Sequence, residues 1–313
     1  MAVITSAGCL MAGHVGKDAS ALAASEKPLW GDLTLFEPPE SGFEKAGEIP
    51  EYSLSEAGLS VKSYLDRVSA HTLMAVGLAL GGRCDPDMGL SFATRWGPVS
   101  SMKLFFEKVK QNPRFAPPLP FSHSYANSPA SVAAIEFGMH GWHCVFSDGD
   151  ASGIDALAAA ADEADRTGGV IVAAGAEALS PELYAYYHAA GLAGEPSEEA
   201  PEAFVPAEAA AAFVVEPSGE GRRIRTLPGT PARGLPTPLP ERIITDACTH
   251  RRMKWFEQIA GGGRGMEHIG MKAGGTGAVG GLLAVATALL RPEAALVLAG
   301  DEENARMMLV EAA

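Results

Sequence analysis

The residues best equipped for chemistry in this sequence are few. Ser147-Asp-Gly-Asp150 stands immediately before an alanine-rich stretch that should be helical. A carboxylate at the mouth of a buried helix is a candidate general base or ligand-holding group. The same place suits an N-cap, in which first-turn amides bond the carboxylate, lower its pKa and make it a poor base. The pattern therefore predicts that Asp148 or Asp150 caps the helix. His140, His143, His250 and His268 stand at no metal-ligand spacing, and no serine lies in a GxSxG elbow. Each histidine reads as structural. Cys9, Cys84, Cys144 and Cys248 form no CxxC or Cys/His pair, so reduced thiols are expected and no zinc site, disulfide framework or cofactor is. Gly275-Thr-Gly277-Ala-Val-Gly280 satisfies the letter of the dinucleotide fingerprint, but no clear strand feeds it. Its glycines read as a close packing surface for a buried helix.

The elements that must position these residues belong to a chain of 313 residues with 47% hydrophobic, 20% charged and 7% aromatic residues, long enough for a large core. A net charge of −14 argues against nucleic acid or an anionic membrane as the main partner, since either needs a dominant basic surface. The longest apolar runs, such as residues 282–290, are too short to cross a bilayer. No basic region precedes the apolar N-terminal residues, so a cytoplasmic location is expected.

Val3-Ile-Thr reads as a short strand, residues 8–16 as a glycine-bearing turn and residues 19–25 as a helix. Residues 30–59 form a long loop, residues 65–80 a buried helix, and residues 97–110 contain another with Leu104, Phe105 and Val109 on one face. The proline-rich residues 113–120 end it. A helix opens near Ser128 with proline in its first turn and closes at Gly138. Residues 143–147 and 169–175 are strands around the alanine-rich helix 151–165, a βαβ unit implying a parallel sheet. A strand ends the segment 207–216. The proline-rich connection 228–240 divides the chain into halves, residues 1–227 and 228–313. The second holds a strand at 242–246, glycine tracts at 261–265 and 274–281, a helix at 282–290 and a final strand at 295–298. Residues 167–221 carry glutamates and no Lys or Arg, whereas basic residues concentrate in 222–272.

In this order the segments resemble the β-ketoacyl synthase (ketosynthase) family of the thiolase fold. Val3-Ile-Thr-Ser-Ala-Gly resembles the opening strand and glycine turn, and Tyr64-Leu-Asp-Arg the Asp-Arg helix start. Asn127-Ser-Pro-Ala-Ser, followed by Glu136-Phe-Gly-Met-His-Gly141, resembles the family's next helix and turn. Ser147-Asp-Gly-Asp150-Ala-Ser-Gly153 aligns without a gap on the nucleophile loop. Ala207-Glu-Ala-Ala-Ala-Ala-Phe-Val-Val-Glu resembles the Gly-Glu-Gly-Ala strand, and Gly274-Gly-Thr-Gly-Ala-Val-Gly-Gly the Gly-His-Thr helix start. The resemblance implies an α/β, thiolase-like layered αβαβα fold with two related halves, the second shortened.

Within the resemblance, Asp150 stands where the family has its cysteine nucleophile, and aspartate cannot form the acyl thioester of condensation. Gly275 takes the place of the second catalytic histidine, Asp246-Ala-Cys-Thr-His250 does not preserve the first, and Gly300-Asp-Glu-Glu-Asn304 replaces the Gly-Phe-Gly-Gly loop. A constellation lost together points away from independent condensing activity. The implied role is that of a chain length factor, a non-condensing subunit that pairs with an active ketosynthase in type II polyketide, polyene or fatty-acid-like biosynthesis. By resemblance, His143, Cys144, Val145, Phe146 and Ser147 form the dimer strand, and Leu119, Pro120 and Phe121 reach the partner's acyl tunnel. An acyl carrier protein delivers substrate, with Arg222, Arg223, Arg225, Arg251, Arg252 and Lys254 as its candidate contacts; an ordinary solvated basic face reads these residues equally well. Two alternatives stay open: acyl chemistry such as decarboxylation by Asp150, and a homodimeric acyl-binding or scaffold protein.

Overall fold

Two helices made of small residues fix the centre of the computed structural model, which describes residues 1–39, 42–55, 58–59, 64–262 and 265–313. Parts of two expectations, residues 40, 41, 56 and 57 of the long loop and 263 and 264 of the glycine tract, lie outside the described residues. The first half of the chain supplies β1 (Val3–Met11), β2 (His14–Gly16), α1 (Ser20–Ala24), β3 (Gly31–Asp32), β4 (Lys45–Ala46), α2 (Arg67–Leu80) and β5 (Gly89–Ala93). It continues through α3 (Val99–Gln111), α4 (Pro118–Ser122), α5 (Ser128–Phe137), β6 (His143–Phe146), α6 (Ser152–Thr167), β7 (Ile171–Glu177), α7 (Pro181–Ala189) and β8 (Ala209–Glu216). The second half comprises β9 (Arg222–Leu227), β10 (Arg242–Thr245), α8 (His250–Ile259), β11 (Met266–His268), α9 (Gly270–Ala273), α10 (Gly280–Leu289), β12 (Ala295–Ala299) and β13 (Arg306–Val310).

Eleven strands form one mixed sheet in the order β11-β10-β12-β13-β9-β1-β8-β7-β5-β6, with β2 attached to β1, and β3 and β4 form a separate antiparallel pair. Each half repeats one pattern. In the first, β5 pairs parallel with β6 and β7, β7 antiparallel with β8, and β8 antiparallel with β1. In the second, β10 pairs parallel with β11 and β12, β12 antiparallel with β13, and β13 antiparallel with β9. The expected parallel sheet is thus corrected to a mixed one: β6 and β7, which flank α6 in sequence, are separated by β5. The second half opens at β9, ahead of the proline-rich connection expected to divide the halves. That connection is where the shortening lies, because β9 and β10 are joined without a counterpart of α2.

Helices α6 and α10 lie between the two halves of the sheet, and their burial sets the composition. Leu157, Ala160 and Ala164 on one helix and Leu282, Leu283 and Val285 on the other are fully buried in a single core. Contact is so close that a Cβ on Gly153 would stand 2.1 Å from the Ala278 carbonyl oxygen. A second apolar layer packs α2 and α5 on the outer face of the first half, and α8 covers the second through Phe256. Helix α2 is pinned at its start. Its Asp66 cap accepts from the Val68 amide, and Arg67 reaches the fully buried Glu208 at 2.5 and 2.7 Å. Glu208 also accepts from the Ile49 and Leu179 amides, and although burial opposes ionisation, its bonds to Arg67 and His71 hold its pKa down at about 2.

Strand β1 is longer than expected because Gly8 continues it. A side chain there would strike the Ala75 carbonyl of α2 at 2.2 Å, so glycine lets strand and helix touch. Strands β2, β3, β4, β5, β9, β11 and β13 and helices α4, α7, α8 and α9 lie outside the sequence-based assignment. Among the described residues no helix is long and apolar enough to cross a membrane. Gly153→Ala should force α6 away from the turn before α10 and destabilise the protein by about 3 kcal/mol. A urea titration giving an unchanged midpoint would show that the helices are not in such close contact.

Candidate functional site

The ends of β5 and β10, the start of α6 and the turn before α10 converge on one point. Asp150, just before α6, places Oδ1 2.5 Å from Arg95 Nη1 and Oδ2 2.8 Å from Arg252 Nη1. Arg95 follows β5, and Arg252 lies in the first turn of α8. The second guanidinium nitrogen of Arg252 donates to Asp246 Oδ1 at 2.6 Å, and Asp246 Oδ2 accepts from the Gly300 amide at 3.0 Å. The result is a chain of alternating charges, Arg95–Asp150–Arg252–Asp246, that ties the first half to the second. Beneath it Glu177, the last residue of β7, accepts from the backbone amides of Arg95 and Trp96. Gly277, in a left-handed conformation at φ 51°, leaves room for that carboxylate: a Cβ would meet Glu177 Cγ at 3.2 Å.

Burial dominates the protonation of these groups. It pushes Glu177 up to about 7 despite three backbone hydrogen bonds, and Asp246 up to about 6 against the pull of Arg252. For Arg252, burial works against the charge, and Asp246 and Asp150 outweigh it, so the guanidinium stays firmly protonated. Burial also pushes the Cys248 thiol up to about 11, which leaves it unreactive at neutral pH.

A cavity of about 190 Å³ opens beside Asp150, walled by Arg95, Tyr187, Phe204, Cys248, Arg252 and Gly275 among others. Phe204 occupies the space in front of Gly275: a Cβ on that glycine would lie 2.3 Å from the ring. The ring packs edge-on against Tyr187, with centroids 4.9 Å apart, and Tyr187 against Trp96 at 6.0 Å. Any larger residue at position 275 would have to displace this aromatic wall. Among the described residues no group of His, Cys, Asp and Glu could hold a metal ion.

Several site expectations change in three dimensions. Neither Asp148 nor Asp150 caps α6: the N-cap is Ala151, with no side-chain cap, and Asp150 turns to the two guanidiniums instead. Arg252 is buried and doubly ion-paired, so it is corrected from a carrier-protein contact to an internal strut. Arg222 donates to the carbonyls of Arg291, Glu293 and Glu311, Arg251 is held by Glu202 and Glu302, and Lys254 by Glu257. Exposed Arg223 and Arg225 lie on β9, outside the cavity wall. Strand β6 stands at one end of the sheet and pairs with β5 alone among the described residues, leaving an edge along residues 143–146. Leu119 and Phe121 are exposed on α4, whereas Pro120 is buried beneath them. Arg95, Glu177, Phe204 and Asp246 have no place in the sequence-derived site. An arginine directly after the apolar run Gly-Leu-Ser-Phe-Ala, and a glutamate closing another, are the signals available for two of them.

The β-ketoacyl synthase N-terminal domain matches residues 60–220, just over half of the chain. The chain belongs to the β-ketoacyl synthase family. No curated protein matches the sequence. Among solved structures, the ishigamide ketosynthase/chain length factor superposes with a TM-score of 0.81 at 13% identity, covering 100% of this chain and 99% of that one. A type II PKS acyl-carrier protein in complex with its ketosynthase bound to the hexaketide gives 0.76 at 15%, and a β-ketoacyl synthase from Burkholderia phymatum 0.72 at 14%, each with the same coverage. At these identities the likeness establishes the fold, the thiolase-like ketosynthase fold with its two related halves.

In this family member the folded-state pKa of Glu177 lies above its ordinary value of 4.5. Its contribution to stability is therefore full below that value and lost as pH rises through about 7; Asp246 acts in the same sense through about 6. Unfolding free energy should fall as pH rises from about 5 to 8, by about 3 kcal/mol from Glu177. Glu177→Gln should remove most of that slope. Equal slopes for the two proteins in denaturant titrations across this range would contradict the assignment.

Proposed function

We propose that this chain is a non-condensing, chain-length-factor-like subunit that pairs with an active ketosynthase and shapes its acyl tunnel. The observation that carries the reading is the state of Asp150. It stands at the family's nucleophile position by sequence, and both of its carboxylate oxygens are engaged by guanidinium donors. A group so held neither attacks a thioester nor moves a proton without breaking two charge-assisted bonds. The second histidine position is Gly275, faced by the Phe204 ring. The same occupancy weighs against acyl chemistry by Asp150 itself.

Support for pairing comes from the sheet edge. β6 presents backbone groups along His143–Phe146, and an antiparallel strand from a ketosynthase would extend the sheet through both chains, with Ser147 at its end. On α4, half-exposed Phe121 packs against Phe105 with ring centroids 5.0 Å apart and edge-on against Tyr125 at 5.1 Å, forming an aromatic tip. Such a tip, with Leu119 beside it, limits the length of an acyl chain by bulk in the partner's tunnel. The ishigamide structure is named as a ketosynthase/chain length factor, which accords with this reading.

Co-expression with the ketosynthase encoded nearest to it and native mass measurement should give a one-to-one pair that condenses, whereas this chain alone should not. A homodimer alone, with no effect on the ketosynthase, would refute the proposal. In the reconstituted pair Phe121→Ala should shift the main product to a longer chain; an unchanged product profile would remove Phe121 from the gate.

A further inference from the structure

The tip of α4 touches little of its own chain: Leu119 is 47% and Phe121 43% exposed. Side chains with so few neighbours do not fix their own position, so the height of the tip is set from behind. Phe105 of α3 supports the Phe121 ring on one side. On the other, His123, which closes α4, lays its ring against Tyr64 with centroids 5.1 Å apart and planes at 66°. The Nδ1 of His123 is buried and has no hydrogen-bond partner among the described residues, so the ring is seated on Tyr64 by packing rather than by a bond from that atom. Ser128 Oγ donates to the Ser122 carbonyl at 2.9 Å and accepts from the Tyr125 amide at 3.2 Å, which ties the turn after α4 into one piece with the end of that helix.

Tyr64 is in turn tied to the core. Buried Ser101 gives its single hydroxyl proton to Asp66 Oδ2 at 2.6 Å, so the 2.9 Å bond between Ser101 Oγ and Tyr64 is donated by the tyrosine. Asp66 is the buried cap of α2, and its other oxygen accepts from the Val68 amide at 3.1 Å. Ser101 stands one helical turn before Phe105 on the same face of α3. A single hydrogen-bonded post, Tyr64–Ser101–Asp66, therefore holds both supports of the tip: the ring under His123 and the helix that carries Phe105.

We infer that Tyr64 is a positioning residue for product length: braced by Ser101 and Asp66, it sets how far α4 projects and so where Phe121 stops the acyl chain. The inference rests on the reading that α4 enters an active partner's tunnel. It moves part of the length setting off the exposed tip and onto the residues that start α2.

Product analysis of the reconstituted pair tests this. Tyr64→Leu should raise the ratio of longer to ordinary product by about three- to tenfold, the weight of one aromatic contact, with total turnover changed less than about twofold. Tyr64→Phe, which keeps the ring and loses the hydroxyl, should move the ratio in the same direction and by less; if Tyr64→Leu does not fold, an unmoved ratio in Tyr64→Phe overturns the inference. Because Tyr64 acts through Phe121, Tyr64→Leu should add nothing in a Phe121→Ala background. An unchanged ratio in Tyr64→Leu, or an equal shift with and without Phe121, overturns the inference. Hydrogen exchange on the chain alone gives a second readout: the amides of residues 119–125 should exchange faster in Tyr64→Leu, and less so in Tyr64→Phe, with those of β7 and β8 unaltered. Unaltered exchange at α4, or equal acceleration in the sheet, also overturns it. Native mass separates the two claims. A pair whose products ignore Tyr64 sinks only the positioning role, whereas if no pair forms the function fails and the exchange measurement decides whether Tyr64 seats α4.

Discussion

The run of charges from exposed Arg95 through half-buried Asp150 to the buried pair Arg252 and Asp246 is the constraint on which this structure turns. Charges in a protein interior are tolerated only when paired and hydrogen-bonded, and breaking the buried Arg252–Asp246 pair by removing one partner costs about 3–5 kcal/mol. The members of the run come from the end of β5, the start of α6, the end of β10 and the first turn of α8, so satisfying them requires both halves to be in register. A condensing enzyme needs an approachable nucleophile at this junction. Here the same junction holds paired charges, and the aromatic wall of Phe204 and Tyr187 bounds a cavity of about 190 Å³ beside Asp150.

The repeated five-strand pattern explains why the two ends of the sheet matter differently. β6 and β11 are related edges, of four residues, His143–Phe146, and three, Met266–His268. The first half carries the long excursions that build α2, α3, α4 and α5, whereas β9 reaches β10 through a proline-rich connection alone. The second half thus adds little beyond the strands and helices that close the core over α6 and α10.

Local physics made much of this readable in the sequence. The alanines of α6 require a close neighbour, the glycines before α10 provide one, and Gly138 stops α5 in the left-handed conformation that glycine favours. Strands β7 and β8 announce themselves as apolar runs. Hidden features depend on partners far apart in the chain. Asp150 reads as a cap because no local pattern reveals Arg95, 55 residues earlier, or Arg252, 102 residues later. Strand β13 is masked by the acidic turn before it, and the basic character of residues 222–272 says nothing of the carbonyls and carboxylates that absorb it. Of those arginines Arg252 is buried and Arg222 and Arg251 are engaged within the chain, whereas Arg223 and Arg225 stay exposed.

Intact-protein mass spectrometry of the reconstituted pair after incubation with acyl-loaded carrier protein tests the central claim most directly. The account predicts an acyl adduct on the ketosynthase and none on this chain, with Cys248 and Asp150 unmodified. An acyl group recovered on this chain at either residue would contradict it and restore the site to a catalytic one.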